Sequence, residues 1–473
     1  MLPRDHSDRV ARWERWLTPG LLALTVSIYT LLVTGAVVSL TDAAGACSTW
    51  PTCDGALISS IGDSAVMIAL GHRLMTLLVF VLLISMVVLS WRSGVPRKVR
   101  YTLLATAGFF PLQMAIGAVT VTTGGSSLLT SIHLLLAMLI FTGGLLALLF
   151  WLEWSTRDIE ASFDATAPIE EDASTAHAVS KIGPMTTIQS YVSMTKPRLM
   201  WLLCFVAIAG MALAATSTGT SLTTEVSLGT VIGGMLAIGA SGVFNHLYER
   251  DVDRRMARTA DRPLATHTVS MRRAAVFGVV LTLASIGVFL ALTNALAAGL
   301  GLVAIGFYSI IYTVVLKPNT SQNIVLGGAV GAFPAIIGWA AVTGSIGIPV
   351  LVLGLIIFLW TPAHFYNLAL VYKRDYARGN FPMLPVVRGE RVTQRHIVLY
   401  AGATLLCVAL LGAIGGLGWL YGATAVIAGG GFLYTIVHLY EHQNSVAAMR
   451  TFHASNAFLG VLMVAIILEL LIL

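Results

Sequence analysis

Asn245, Glu249 and Asp253 recur at every fourth position of the stretch NHLYERDVDRRMARTADRPLA, residues 245–265. On a helix this spacing stacks the three side chains on one face. Two carboxylates one turn apart, with Asp251 nearby, repel each other unless a cation neutralises them. Oxygen donors of this kind suit Mg²⁺, which takes one or two carboxylates and completes its shell with water and phosphate oxygens. The same stretch carries Arg250, Arg254, Arg255, Arg258 and Arg262. Guanidinium forks match phosphate oxygens, so the mixed charge reads as a site for a metal diphosphate. The competing reading is a solvated loop with internal salt bridges, and spacing alone leaves both open.

Two further groups of polar residues sit in apolar surroundings. In WTPAHFYNLALVYKRDYARGNFPMLP (360–385), His364, Asn367 and Asp375 share roughly one helical face, and Lys373 and Arg374 add positive charge. Polar groups and a Thr361-Pro362 step inside a lipid-spanning run are costly, which favours a functional explanation. His72 and His133 lie about nine and seven residues into two different apolar runs, at matching depth. Facing histidines in a four-helix bundle can hold haem iron from both sides; the alternative is two histidines satisfied by neighbouring helices. The loop TDAAGACSTWPTCDG offers Cys47 and Cys53 as a disulfide on an oxidising face, with a redox pair as the alternative. Cys204 and Cys407 fall inside apolar runs and read as core residues.

The elements that must position these groups are membrane helices. Of 473 residues, 57% are hydrophobic and only 11% charged, against about 25% in soluble domains. Mean hydropathy is +0.84. Such a chain is a polytopic all-α membrane protein, and its net charge of +6 is topological rather than a sign of nucleic-acid binding. The opening residues MLPRDHSDRVARWERW have no small-residue cleavage site and read as a retained tail, not a signal peptide. Apolar runs long enough to span fall near 20–41, 64–90, 102–121 and 127–152. Nine more follow near 199–216, 227–247, 274–292, 295–316, 322–343, 348–371, 397–416, 419–439 and 455–473. With the N-terminus inside, the inner segments hold 27 of the 28 Lys and Arg; Arg73, in the second run, is the exception. This split supports a cell-membrane protein with a cytoplasmic N-terminus and cytoplasmic charged loops. Residues 155–189, acidic and poor in large apolar side chains, read as a flexible linker. They separate a four-helix module, 1–154, from a nine-helix module, 190–473.

The second module resembles the UbiA superfamily of intramembrane prenyltransferases, and within it the protohaem IX farnesyltransferase (haem O synthase) branch. The segments that carry the resemblance are MTKPRLMWLL (194–203), NHLYERDVDRRMARTADRPL (245–264), YTVVLKPNTSQNIVLGGAVGAFPAIIGW (312–339) and the 360–385 stretch. Glu249 stands where that family usually has Asp. In the second motif the usual paired acids are reduced to Asp375, with Val371 one turn earlier, so metal binding leans on the first motif. The resemblance implies that Mg²⁺ and basic residues draw off diphosphate from farnesyl diphosphate, that a haem B vinyl group attacks the allylic cation, and that water completes a hydroxyethylfarnesyl group. It implies Asn245, Glu249, Asp253 and Asp375 as catalytic residues, with Glu249 and Asp253 as metal ligands. Lys196, Arg198, Arg258, Arg262, Lys317 and Lys373 are the expected diphosphate partners, each with an alternative as a positive-inside anchor. His364 is a candidate haem contact, with helix packing as the alternative.

ACSTWPTC, GHRLMTLLV (71–79) and SIHLLLAML (131–139) resemble half of a haem A synthase. That family usually has two four-helix halves, and a glutamate where this chain has Ala69. The resemblance implies a bound haem on His72 and His133, a part in haem A formation, and a link to terminal oxidase assembly. The alternatives are a UbiA-type enzyme with a different acceptor, which the haem-branch motifs disfavour, and a haem-binding membrane electron carrier, which leaves both charged loops idle. A transporter is disfavoured because the charges cluster at one membrane face rather than at mid-bilayer.

Overall fold

The computed structural model describes residues 14–39, 43, 46–47, 49–53, 63–159, 161, 163 and 184–471. The N-terminal tail and the centre of the linker lie outside the described residues. The protein is an all-α, multi-pass membrane protein. Among the described residues, thirteen helices are long and apolar enough to cross a bilayer, in agreement with the thirteen runs. They are α1 (Leu17–Val38), α2 (Ser64–Arg92), α3 (Arg97–Thr122), α4 (Ser127–Ser155), α5 (Pro197–Thr218), α6 (Thr224–Asp253), α7 (Met271–Leu292), α8 (Ala295–Asn319), α9 (Asn323–Thr343), α10 (Ile348–Val371), α11 (Glu390–Ile414), α12 (Trp419–His442) and α13 (Ser445–Leu471).

Local chemistry sets the helix starts. The side chains of Asp63, Ser126, Thr223, Ser270 and Asn294 each accept a first-turn backbone N–H, satisfying donors that have no intrahelical partner. Outward faces stay apolar, as on α7, where Val276, Val279, Val280 and Leu283 are all more than half or about half exposed. That surface suits lipid. Lipid offers little hydrophobic drive for helix association, so close packing must hold helices together. The α5–α9 crossing shows how. A Cβ at Gly210 would fall 2.2 Å from the Ala335 carbonyl oxygen, and one at Gly338 would fall 2.1 Å from that of Ala207. Each backbone seats directly on the other.

The chain forms two compact units. One comprises Met1–Glu160 and Val408–His442; the other comprises Ala161–Cys407 and Gln443–Leu473. The units therefore do not follow chain order, because α12 packs with the first four helices, chiefly α1. Gly422 permits this contact: a Cβ there would lie 3.0 Å from Val37.

Candidate functional site

In the second unit, α6 runs for 30 residues and ends at Asp253, about two turns beyond the end of its apolar run. Asn245, Glu249 and Asp253 therefore occupy its last turns, and all three are buried. Three cations reach them from three other segments. The loop after α6 folds back so that Arg262 Nη1 donates to both Asp253 oxygens, at 2.8 and 2.9 Å. The same nitrogen is 3.8 Å from Glu249 Oε2. Lys317, at the end of α8, donates to Glu249 Oε1 at 2.5 Å. Lys196, just before α5, donates to Asn245 Oδ1 at 2.5 Å and to the Tyr308 hydroxyl at 3.0 Å.

Lys196 has φ +56°, a left-handed conformation unusual for a residue with a side chain. Pro197 follows and begins α5. The strain places the ammonium in the cluster, as is common at functional sites. Burial pushes the Lys196 ammonium down to about 8, and Arg262 adds to the effect while Glu249 and Asp253 oppose it.

The middle of α8, Phe307–Leu316, is a π-helix, a wide turn often found at functional sites. It brings Tyr308 to Lys196 and Thr313 to Asn245, whose Nδ2 donates to Thr313 Oγ1 at 3.2 Å. Sequence reasoning missed both residues. The available signal was the run of hydroxyl side chains in FYSIIYT within an otherwise apolar span.

Other sequence candidates sit differently. Asp375 is buried, but its two oxygens accept the backbone N–H groups of Ala257 and Arg258, both at 3.2 Å. It anchors the loop that carries Arg262. The Arg258 guanidinium lies over the rings of Tyr372 and Tyr376 at 5.1 and 5.9 Å, and burial raises the Tyr376 phenol above its usual range. Lys373 is paired with Glu390 at 2.5 Å. Arg198 is exposed, and among the described residues no ion pair joins it to the cluster. His364 is sandwiched between Trp360 and Phe452, each 4.3 Å away centroid to centroid, and its Nδ1 pairs with Ser455 Oγ at 2.7 Å. Phe452 and Ser455 both come from α13. Asn367, one turn further on, donates to the Ala363 carbonyl at 2.7 Å.

An apolar cavity opens beside Lys196 and Tyr308 and descends between α5, α6, α8 and α9, with Phe333 and Ile337 on one wall. Cys204 lines it, so this thiol borders a cavity rather than a filled core. The donor set fits a divalent cation: one Arg262 nitrogen touches both Glu249 and Asp253, so the two carboxylates are close enough to share one positive centre. The lysines and Arg262 that hold them now are the groups that phosphate oxygens would recruit.

In the first unit, His72 on α2 and His133 on α4 are both half-buried. Gly35 and Gly117 make room for the rings: a Cβ at each would lie 3.3 and 2.9 Å from the Cε1 of His72 and His133, respectively. Gln113 Nε2 pairs with His133 Nε2 at 3.1 Å. Both Nδ1 atoms, together with Tyr29 Oη and Gln113 Oε1, are buried without a hydrogen-bond partner. Orphaned imidazoles of this kind fit a ligand that accepts nitrogen donors. Cys47 and Cys53 are joined in a disulfide. Arg73 caps the same loop, donating to the carbonyls of Thr49, Pro51 and Thr52 at 2.9–3.0 Å. Its burden within the span is met by backbone oxygens.

A lipid-embedded bundle whose apolar cavity ends in a cradle of buried acids and half-buried bases suits a membrane enzyme acting on an amphiphilic anion. Residues 203–462 match the model of the UbiA prenyltransferase family. The chain belongs to that family and is a prenyltransferase. Residues 3–145 match a second model, described as cytochrome oxidase assembly protein. A protoheme IX farnesyltransferase of Haloarcula marismortui is 50% identical over 465 residues, covering 96% of this chain and 98% of its own. A protoheme IX farnesyltransferase 1 of Natronomonas pharaonis is 50% identical over 457 residues, covering 95% and 98%. A protoheme IX farnesyltransferase of Leifsonia xyli subsp. xyli is 43% identical over 295 residues, covering 62% of this chain and 95% of its own. Among solved structures, a digeranylgeranylglyceryl phosphate synthase shares the fold, with TM-score 0.50 at 16% identity over 61% of this chain and 99% of its own. The family assignment removes the electron-carrier reading as an account of the whole chain.

Proposed function

We propose that the second unit transfers a farnesyl group from farnesyl diphosphate to a vinyl group of haem B, giving haem O. The observation that carries this reading is the joining of an apolar cavity to a buried cradle in which Lys196, Arg262 and Lys317 converge on Asn245, Glu249 and Asp253. The names of relatives aligned over nearly the whole chain support the choice of acceptor. The diphosphate would sit among the three cations, with the prenyl chain in the cavity. Mg²⁺ held by Glu249 and Asp253 would supply neutralising charge to the leaving diphosphate. Lys196, Lys317 and Arg262 would exchange carboxylate partners for phosphate oxygens and stabilise charge as the C1–O bond breaks. Tyr308 and Phe333 line the cavity, and their rings would stabilise the allylic cation. The vinyl carbon attacks C1, water adds to the resulting haem cation, and one proton is released. Asp375 acts at one remove, fixing the loop that presents Arg262. Because the cradle lies at the Lys- and Arg-rich face, we place it on the cytoplasmic side of the cell membrane.

The first unit, on this reading, holds haem on His72 and His133, where the iron would supply redox chemistry for later oxidation of the farnesylated haem. The orphaned Nδ1 atoms and the disulfide on the same module support this role. The Leifsonia relative is too short to carry both matched segments, which supports prenyl transfer that does not need the first unit. The match of residues 3–145 to the cytochrome oxidase assembly model favours this module as the link to terminal oxidase assembly. The test is expression of the full chain in a host lacking haem O, followed by haem extraction. Haem O or its oxidation product is expected; only haem B, from correctly inserted protein, would overturn the reading.

A further inference from the structure

The cavity follows one face of α6 from Gly242, beside Lys196, past Gly234 to Thr230. At the helical rise of about 1.5 Å per residue, those twelve steps make a channel about 18 Å deep. An extended isoprene unit adds four carbon–carbon bonds in a zigzag, about 5 Å. Three units, about 15 Å, fit the channel, and four, about 20 Å, exceed it.

Gly234 lies eight residues below Gly242, about 12 Å down, level with the third unit. A Cβ built there meets nothing within 4 Å. Its neighbour Gly233 is different: a Cβ there would lie 3.0 Å from the Phe289 ring, so helix packing explains that glycine. No packing contact and no positive φ requires a glycine at 234. A helix-interior glycine costs stability relative to almost any other residue. What the missing side chain leaves open is the lower third of the cavity.

We propose that Gly234 is the specificity-determining residue for prenyl length: its bare backbone admits the third isoprene unit, and a side chain as long as leucine's there would stop the channel at two. This rests on the reading of the cavity as a prenyl site and extends it to the length of the donor.

The test compares binding of geranyl and farnesyl diphosphates, with Mg²⁺ and without haem, to the full-length wild type, Gly234→Leu and Gly234→Ala. Gly287→Leu is the control, because Gly287 also has open space around its Cβ but does not line the cavity. Gly234→Leu should weaken farnesyl diphosphate at least tenfold while geranyl diphosphate stays within threefold. Gly234→Ala should shift the ratio the same way by about threefold, and Gly287→Leu should leave it unchanged. An unchanged ratio in both Gly234 variants would overturn the proposal, as would an equal shift in Gly287→Leu or a wild type that binds neither diphosphate. A shifted binding ratio in a protein that makes no haem O would uphold the role of Gly234 and refute the haem acceptor instead.

Discussion

The cradle at the end of α6 and the histidine pair of the first unit solve the problem of buried polarity in opposite ways. In the cradle, Glu249 and Asp253 are both matched by cations, Arg262 from the loop that follows α6 and Lys317 from α8. Around His72 and His133, both Nδ1 atoms lack partners. A group already satisfied can exchange partners when a charged substrate arrives. A group left unsatisfied in a low-dielectric interior carries a standing cost of about 1–3 kcal/mol, which a permanent ligand can relieve. The first pattern suits a turnover site and the second a resident group.

The comparison breaks most easily at Asp253. Asp253→Ala should lower prenyl transfer by roughly 10³-fold, read as haem O in extracted haems. The helices should remain, because the residue terminates α6 at a loop; retained turnover would remove the metal site from the mechanism. His72→Ala and His133→Ala should each abolish a six-coordinate haem spectrum in the purified full chain and leave haem O formation within about twofold. Loss of haem O in these variants would show that the two sites work as one.

Asp375→Asn sharpens the distinction between touching the substrate and positioning a neighbour. An amide keeps one acceptor where two backbone donors now point, so Arg262 should be less well placed. Turnover should fall about tenfold with the Mg²⁺ concentration dependence unchanged; a raised Mg²⁺ requirement would make Asp375 a ligand. A smaller effect is expected from pH. Lys196 carries its proton below about 8 and loses it above. Diphosphate affinity of the free enzyme should therefore weaken several-fold from pH 7 to pH 9, and Lys196→Arg should flatten the profile. Glu249→Asp should be mildest, within about threefold: the shorter side chain gives up reach toward Lys317 and keeps the carboxylate.

The i, i+4 spacing of Asn245, Glu249 and Asp253 made one face of α6 readable, because a helix fixes which side chains align. The positive-inside pattern and run lengths likewise made the thirteen helices readable, since hydrocarbon thickness and backbone hydrogen bonding admit few alternatives. Sequence alone could not tell which of the candidate cations meet those acids. Lys196, Arg262 and Lys317 arrive from separate segments, while Lys373 turns to Glu390 and His364 is held by Ser455. Spacing carries no information about such partners, because they are chosen by helix crossings and by the left-handed turn at Lys196. The same holds for the π-helix that delivers Tyr308 and for α12, which joins helices hundreds of residues earlier in the chain. Local periodicity determined the helices and the acidic face; close packing between distant backbones decided which charges share the site, because only contact in three dimensions can pair residues with no common period.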